Sequence, residues 1–180
     1  MRFQLEVFAL AVAISTSALG GGHEHREHEA HSHGSANLAI AFEKNAGKIE
    51  FKAAAFGVLG FEAMANNEIQ KKILQGAQTE FEKKISSWIS LAPELKCQFK
   101  KIKIDQVAEK ATNAREERGN SHSDFVASFD IQCSKSPKGT VLGLNFTELK
   151  GLHDIDVTIL VDDVQKSVEL KGKIEKVDLK

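Results

Sequence analysis

Tyrosine is absent from these 180 residues, and there are only two prolines, two cysteines and one tryptophan. The aromatic content is almost entirely phenylalanine, at eleven residues. No charge of one sign dominates: 24 Lys and Arg stand against 25 Asp and Glu, a formal net charge of −1. That balance removes the electrostatic case for nucleic acid or an anionic membrane as partner. No internal repeat is evident, and no long apolar run follows the first twenty residues. Sequence motifs for catalysis are missing too. There is no Gly-x-Ser-x-Gly elbow to present a serine nucleophile. There is no phosphate-binding glycine loop, and no His-Glu-x-x-His helix, because a single residue separates Glu29 from His31. The residues give no argument for an enzyme.

What is present is histidine, concentrated in one place. Five of the seven histidines, His23, His25, His28, His31 and His33, fall between Gly21 and Gly34. Neutral imidazole ligates zinc, copper and nickel, and crowded imidazoles raise the chance that several reach one ion. The spacings of two, three, three and two residues do not keep to one helix face. They suit a flexible arm that wraps around an ion, with Glu24, Glu27 and Glu29 adding oxygen ligands and Arg26 opposing them slightly. The bland alternative is a solvated polar tail. His122, with Asp124 close by, is a further candidate ligand; its alternative is a surface histidine at a strand edge. His153 reads as a turn residue ahead of a strand.

The residues before the histidines suggest a compartment. Met1 to Gly20 has the form of a secretory signal peptide, with Arg2 as a thin positive start, Val7 to Ile14 as the apolar run and small residues after it. Cleavage is expected between Gly20 and Gly21, with an earlier cut after Ala18 as the alternative. The run is too short to span a bilayer comfortably, so no stable membrane insertion is expected after its removal. Cys97 and Cys133 fit an exported protein: an even count in an oxidising compartment favours a disulfide, worth about 4 kcal/mol on the chain-entropy model. Two buried free thiols are the alternative, and a two-cysteine metal site lacks CxxC spacing.

About 160 mature residues suffice for one domain with a real core. Leu38, Ile40 and Phe42, then Ile49, Phe51 and Ala53, alternate across a turn at residues 44–47 and predict a β-hairpin. Residues 56–63 form an apolar, Gly-punctuated stretch expected as a packed loop. Asn66 or Asn67 can cap a long helix whose Ile69, Ile73, Ala77, Phe81 and Ile85 recur every four residues as a core-facing stripe. Trp88, Ile89 and Leu91 are expected to close it with a short turn, and Pro93 to end it. Cys97, Phe99, Ile102 and Ile104 mark a strand whose phase slip suggests a bulge. Residues 109–120 are charged and small, as in a surface loop or a frayed helix. Alternation over Phe125–Cys133, Leu142–Phe146 and Ile155–Val161 marks further strands, Asp162-Asp163 turns the chain towards Ser167–Leu170, and Lys173–Leu179 is a final edge strand. The reading is an α+β fold, a mostly antiparallel β-sheet of about six to seven strands packed against one long helix. Its organisation is a signal peptide over 1–20, a His-rich metal-binding arm over 21–34 and a single domain over 35–180.

Four segments resemble the ZrgA family of zinc-regulated periplasmic zinc-binding proteins. His31-Ser32-His33-Gly34 running into the strand Ser35–Phe42 resembles the family's opening His-x-His-Gly. Gly60-Phe61-Glu62 resembles the start of its Gly-Phe-Glu-His element. Leu91 to Cys97 and His122 to Cys133, the latter similar to a His-x-Asp-Phe strand, end where the family places its two cysteines. Two departures stand out. Ala63 replaces the family's histidine, and residues 107–121 hold none of the histidines the family tends to carry there. The resemblance implies the fold, a periplasmic address and zinc binding. The expected function is a periplasmic zinc-binding protein that captures or buffers zinc and assists its uptake, with copper or nickel as alternative metals. Its expected partners are the metal ion and a zinc transporter's periplasmic binding protein. The rival reading is an envelope structural or protein-interaction module with incidental histidines. His31 and His33 would share an ion with His122 if the first strand starts near the loop that carries it.

Overall fold

A computed structural model of the chain describes residues 34–108 and 122–180. Strict alternation builds β1 (Ser35–Glu43), which buries Ala36, Leu38, Ile40 and Phe42 and exposes Asn37, Ala39 and Ala41. Lys44, at φ 56°, turns the chain into the antiparallel β2 (Ala46–Ala54), where Ile49 and Phe51 face Ile40 and Leu38. The glycine-punctuated stretch that follows, expected as a loop, opens with one helical turn, α1 (Ala55–Leu59), which buries Ala55, Gly57 and Leu59. Gly60 stops it in the left-handed region at φ 78°, its N–H donating to the Phe56 carbonyl at 2.9 Å.

The long helix is α2 (Glu68–Trp88), capped by Asn67, whose side-chain oxygen accepts the Gln70 N–H at 3.0 Å. Its expected core stripe is only half realised. Phe81, Ile85 and Trp88 are buried, whereas Ile69 is 74% and Ile73 42% exposed. Twenty-one residues span about 32 Å, and only the C-terminal part of that length lies over the core. The chain then passes from Trp88 straight into β3 (Ile89–Ser90) rather than through a turn, and Pro93 opens a separate 3-10 turn (Pro93–Leu95). β4 (Gln98–Ala108) carries the expected irregularity, a register shift between Lys101 and Lys103 where it pairs with β5 (Ser123–Gln132). Then come β6 (Val141–Leu144), β7 (Asp154–Val161), β8 (Val164–Leu170) and β9 (Glu175–Asp178).

The strands form two sheets, six in the order β4-β5-β2-β1-β7-β8 and three in the order β3-β6-β9. The α+β reading holds, and the last strand finds its place at the edge of the small sheet rather than the large one. Every pairing in the large sheet is antiparallel except one: β1 runs parallel to β7, with Leu38 beside Val157 and Ile40 beside Ile159. One face of the large sheet packs on α2 and the small sheet. At its centre Phe81 meets Phe51, Trp88 and Phe125 at ring separations of 5.1, 4.9 and 4.8 Å, and Phe146 lies beside Trp88 at 5.6 Å. The other face presents Ala39, Ala41, Lys48, Glu50, Lys52 and Thr158 to solvent. Cys97 and Cys133 are joined as a disulfide next to the Gln98–Gln132 pair of β4 and β5, which decides between the thiol and disulfide readings.

Candidate metal centre

Register brings three strand starts to one end of the large sheet. Ser35, first in β1, lies beside Asp154, first in β7; Ala36 faces Ala53 of β2, and Ala54 faces Asp124 at the start of β5. Neighbouring strands stand about 4.8 Å apart, so the starts of β1 and β5, separated by β2, are about 10 Å apart. Gly34, His122 and His153, each adjoining one of these strands, therefore share one end of the domain. The expectation that β1 starts near the loop carrying His122 is met at Gly34. His23, His25, His28, His31 and His33, together with Gly20, Gly21 and residues 109–121, lie outside the described residues.

His122 does not meet the carboxylate proposed for it. Asp124 is buried and ion-paired with Lys52 at 2.9 Å. The partner of His122 is Glu62, whose Oε2 lies 3.0 Å from His122 Nδ1, with both side chains partly open to solvent. A carboxylate on Nδ1 fixes the proton there and leaves Nε2 as an electron-pair donor, the usual arrangement of a metal-binding histidine.

Glu62 is held by its backbone. Gln106 and Ser123 are buried polar side chains, only 3% and 4% exposed, between β4, β5 and the segment joining α1 to α2. The Gln106 amide donates to the Ala63 carbonyl at 2.9 Å and to Ser123 Oγ at 2.7 Å, while its oxygen accepts the Ala65 N–H at 2.9 Å. The Ser123 hydroxyl in turn donates to the Glu62 carbonyl. Together these two side chains fix residues 62–65 against the strand start that carries His122, bonding Glu62, Ala63 and Ala65 through the main chain. Ala63, which stands where the resemblance has a histidine, is exposed, and its carbonyl accepts the Gln106 amide.

Two other features belong to this end. His153, read as a turn residue, is exposed, and its N–H donates to the Gly34 carbonyl at 2.8 Å. Asp154, Asp156 and Glu169 bring one carboxylate oxygen each to within 4.8 Å of one another. Burial, then hydrogen bonding to Glu169, pushes the Asp154 carboxyl up, while the hydrogen bond from Lys171 holds Glu169 low. The Asp154–Asp156 alternation was visible in the sequence, but Glu169 joins it only through the register of β8 on β7, which sets Asp156 opposite Glu169. Glu62 was marked only by its place in Gly60-Phe61-Glu62, and Gln106 and Ser123 had no comparable signal, because each acts through contacts between distant segments. Among the described residues no helix is long and apolar enough to cross a membrane.

Comparison with curated proteins finds no match. Among protein-family models, the one for the ZrgA family zinc uptake protein matches residues 30–179. The matched span takes in His31, His33, Glu62, both cysteines, His122 and His153, and begins after His23, His25 and His28. With most of its length so matched, the chain belongs to the ZrgA family of zinc uptake proteins and has a zinc-uptake-related role.

Proposed function

We propose that this protein captures and buffers zinc in the periplasm and assists its uptake, acting by binding rather than by catalysis. The observation that carries the reading is the His122–Glu62 pair, 3.0 Å apart at the end of the sheet where the chain emerges from its histidine-rich stretch. His31 and His33 are bound in sequence to that end through Gly34, and His23, His25 and His28 follow further out. A histidine–carboxylate pair on a fixed scaffold combined with imidazoles from a tether gives an ion nitrogen ligands without requiring a closed, preformed cage. As the flexible arm expected from their spacing, these histidines would give up ordering entropy on binding and so exchange ions faster than a rigid tetrahedral site. Fast exchange suits a reservoir that passes zinc to a transporter's periplasmic binding protein.

Calorimetric zinc titration of the mature protein tests the reading against a variant with His23, His25, His28, His31 and His33 all changed to glutamine. The variant is expected to bind fewer ions and to bind them more weakly. Equal stoichiometry and affinity in both proteins would remove the histidine-rich stretch as the main site. Competition with copper and nickel in the same format decides which metal the ligands favour, since the general affinity order places copper above zinc.

A further inference from the structure

The edges of the two sheets are closed unevenly. A strand at the end of a sheet offers a row of backbone N–H and C=O groups with which another chain can pair. The large sheet ends on β4 and β8, the small one on β3 and β9. β3 and β9 are only two and four residues long. β4 is guarded along its length. It carries Lys100, Lys101 and Lys103, and its register shifts between Lys101 and Lys103. The Gln78 side-chain amide of α2 donates to its Ile104 carbonyl at 3.0 Å, and Glu82 of the same helix pairs with Lys101. β8 is different. Its seven residues pair with β7 in unbroken register and include no proline or glycine. Among the described strands none pairs with its outer edge.

The sequence of β8 says what would fit there. Two copies brought edge to edge by a two-fold axis normal to the sheet run antiparallel, and one residue then faces its own copy. With Ser167 at the axis, Gln165 faces Glu169 of the second copy on the solvent side, an amide against a carboxylate. Glu169 thereby gains a neutral donor, where its own chain sets it opposite the like charge of Asp156. On the core side Val164 meets Leu170 and Lys166 meets Val168, so the half-buried valines of the edge are covered. Just outside the strand, Asp163 meets Lys171 at both ends of the pair. Their side chains are 77% and 64% exposed, so each can add a partner to the one it has, Lys138 and Glu169 respectively. No like charges face each other in this register. Sliding it two residues one way sets Lys166 against Lys166 and Asp163 against Glu169. Sliding it the other way parts Asp163 from Lys171 and Gln165 from Glu169.

We propose that the protein associates with a second copy of itself through β8, the two strands pairing antiparallel about Ser167 so that two six-stranded sheets become one continuous sheet. Seven residues a side make a small contact, so the dimer is weak and forms as concentration rises. The two-fold axis sends the candidate metal centres to opposite ends of the joined sheet, where neither covers the other. The interface uses no residue of the zinc-binding reading and stands without it.

The test uses the mature protein over a range of concentrations. Sedimentation equilibrium should show monomer passing to dimer. Ser167→Cys should give a covalent dimer under oxidising conditions, because the two sulfurs meet across the strand pair at a separation a disulfide spans. Gln165→Cys, on the same exposed face, should not, because its two copies lie four residues apart along the pair, about 14 Å. Lys171→Glu should weaken dimerisation by about tenfold, and Asp163→Lys/Lys171→Glu should restore it. All four positions are exposed, and unchanged thermal unfolding confirms that the variants fold. A wild-type protein that stays monomeric up to sub-millimolar concentration would overturn the proposal. So would a Ser167→Cys protein that cross-links no better than Gln165→Cys, or a dimer indifferent to Lys171→Glu, since the copies would then meet elsewhere.

Discussion

Glu62 owes its place to two neighbours that never touch its side chain. Gln106 and Ser123 grip the backbone at residues 62–65 and thereby aim the carboxylate at His122, sixty residues away in sequence. In the sequence Glu62 was marked only by its place in Gly60-Phe61-Glu62, and Asp124, two residues from His122, was the obvious carboxylate for it. Proximity along the chain misled because β5 turns Asp124 towards Lys52 of the adjacent strand, where an ion pair at 2.9 Å occupies it. Carboxylates that orient metal-binding imidazoles typically affect affinity by 10–100-fold. Glu62→Gln keeps the shape but loses the charge that fixes the His122 tautomer, and is expected to weaken zinc binding by about tenfold or more. Calorimetric titration checks this, and an unchanged dissociation constant would mean that the pair is only a surface contact.

At the scale of elements, alternation was the dependable signal. β1, β2, β5 and β7 were legible from period-two runs because each has one buried and one exposed face. The bulge in β4 was legible from the phase slip between Phe99 and Ile102. The helix misled in a different way. Its four-residue stripe correctly gave a helix, but spacing carries no information about how far the core extends beneath it, and Ile69 and Ile73 overshoot. The one-turn α1 and two-residue β3 were too short to show a period at all. Substitution separates the two halves of α2. Phe81→Ala, at the centre of the ring cluster, is expected to destabilise by about 3–5 kcal/mol. Ile69→Ala, in the exposed first turns, should stay within about 0.5 kcal/mol. Urea unfolding of both variants measures the contrast, and a comparable loss from Ile69→Ala would show that this end of the helix is covered in solution.

For the molecule as a whole, the disulfide and the candidate centre sit at opposite ends of β5. Cys133 follows its last residue and His122 precedes its first, and the ten-residue strand between them separates their Cα positions by about 36 Å. Closing a 36-residue interval is worth about 4 kcal/mol on the chain-entropy model. Reduction is therefore expected to lower unfolding stability by about that amount while changing the zinc affinity of the still-folded protein less than about twofold, since well-separated sites act independently. Denaturation and titration in reductant test the two halves of that statement. The sequence supplied the cysteines and the strands but not the order of the sheet, because the decisive contact joins segments from near the two ends of the domain. That contact also governs when folding can finish. β1 is the first of the described strands to be made, yet it lies inside the sheet, and its outer partner β7 is not available until residue 154 and beyond. The Lys44 N–H likewise reaches the Asp162 carboxylate across 118 residues. Pairings of such long range slow folding, and here they leave the leading strand without one of its neighbours until nearly all the chain is present. For a protein exported to the periplasm, as we propose, that delay is useful: the chain cannot complete its sheet, and so stays threadable, until its synthesis is almost finished.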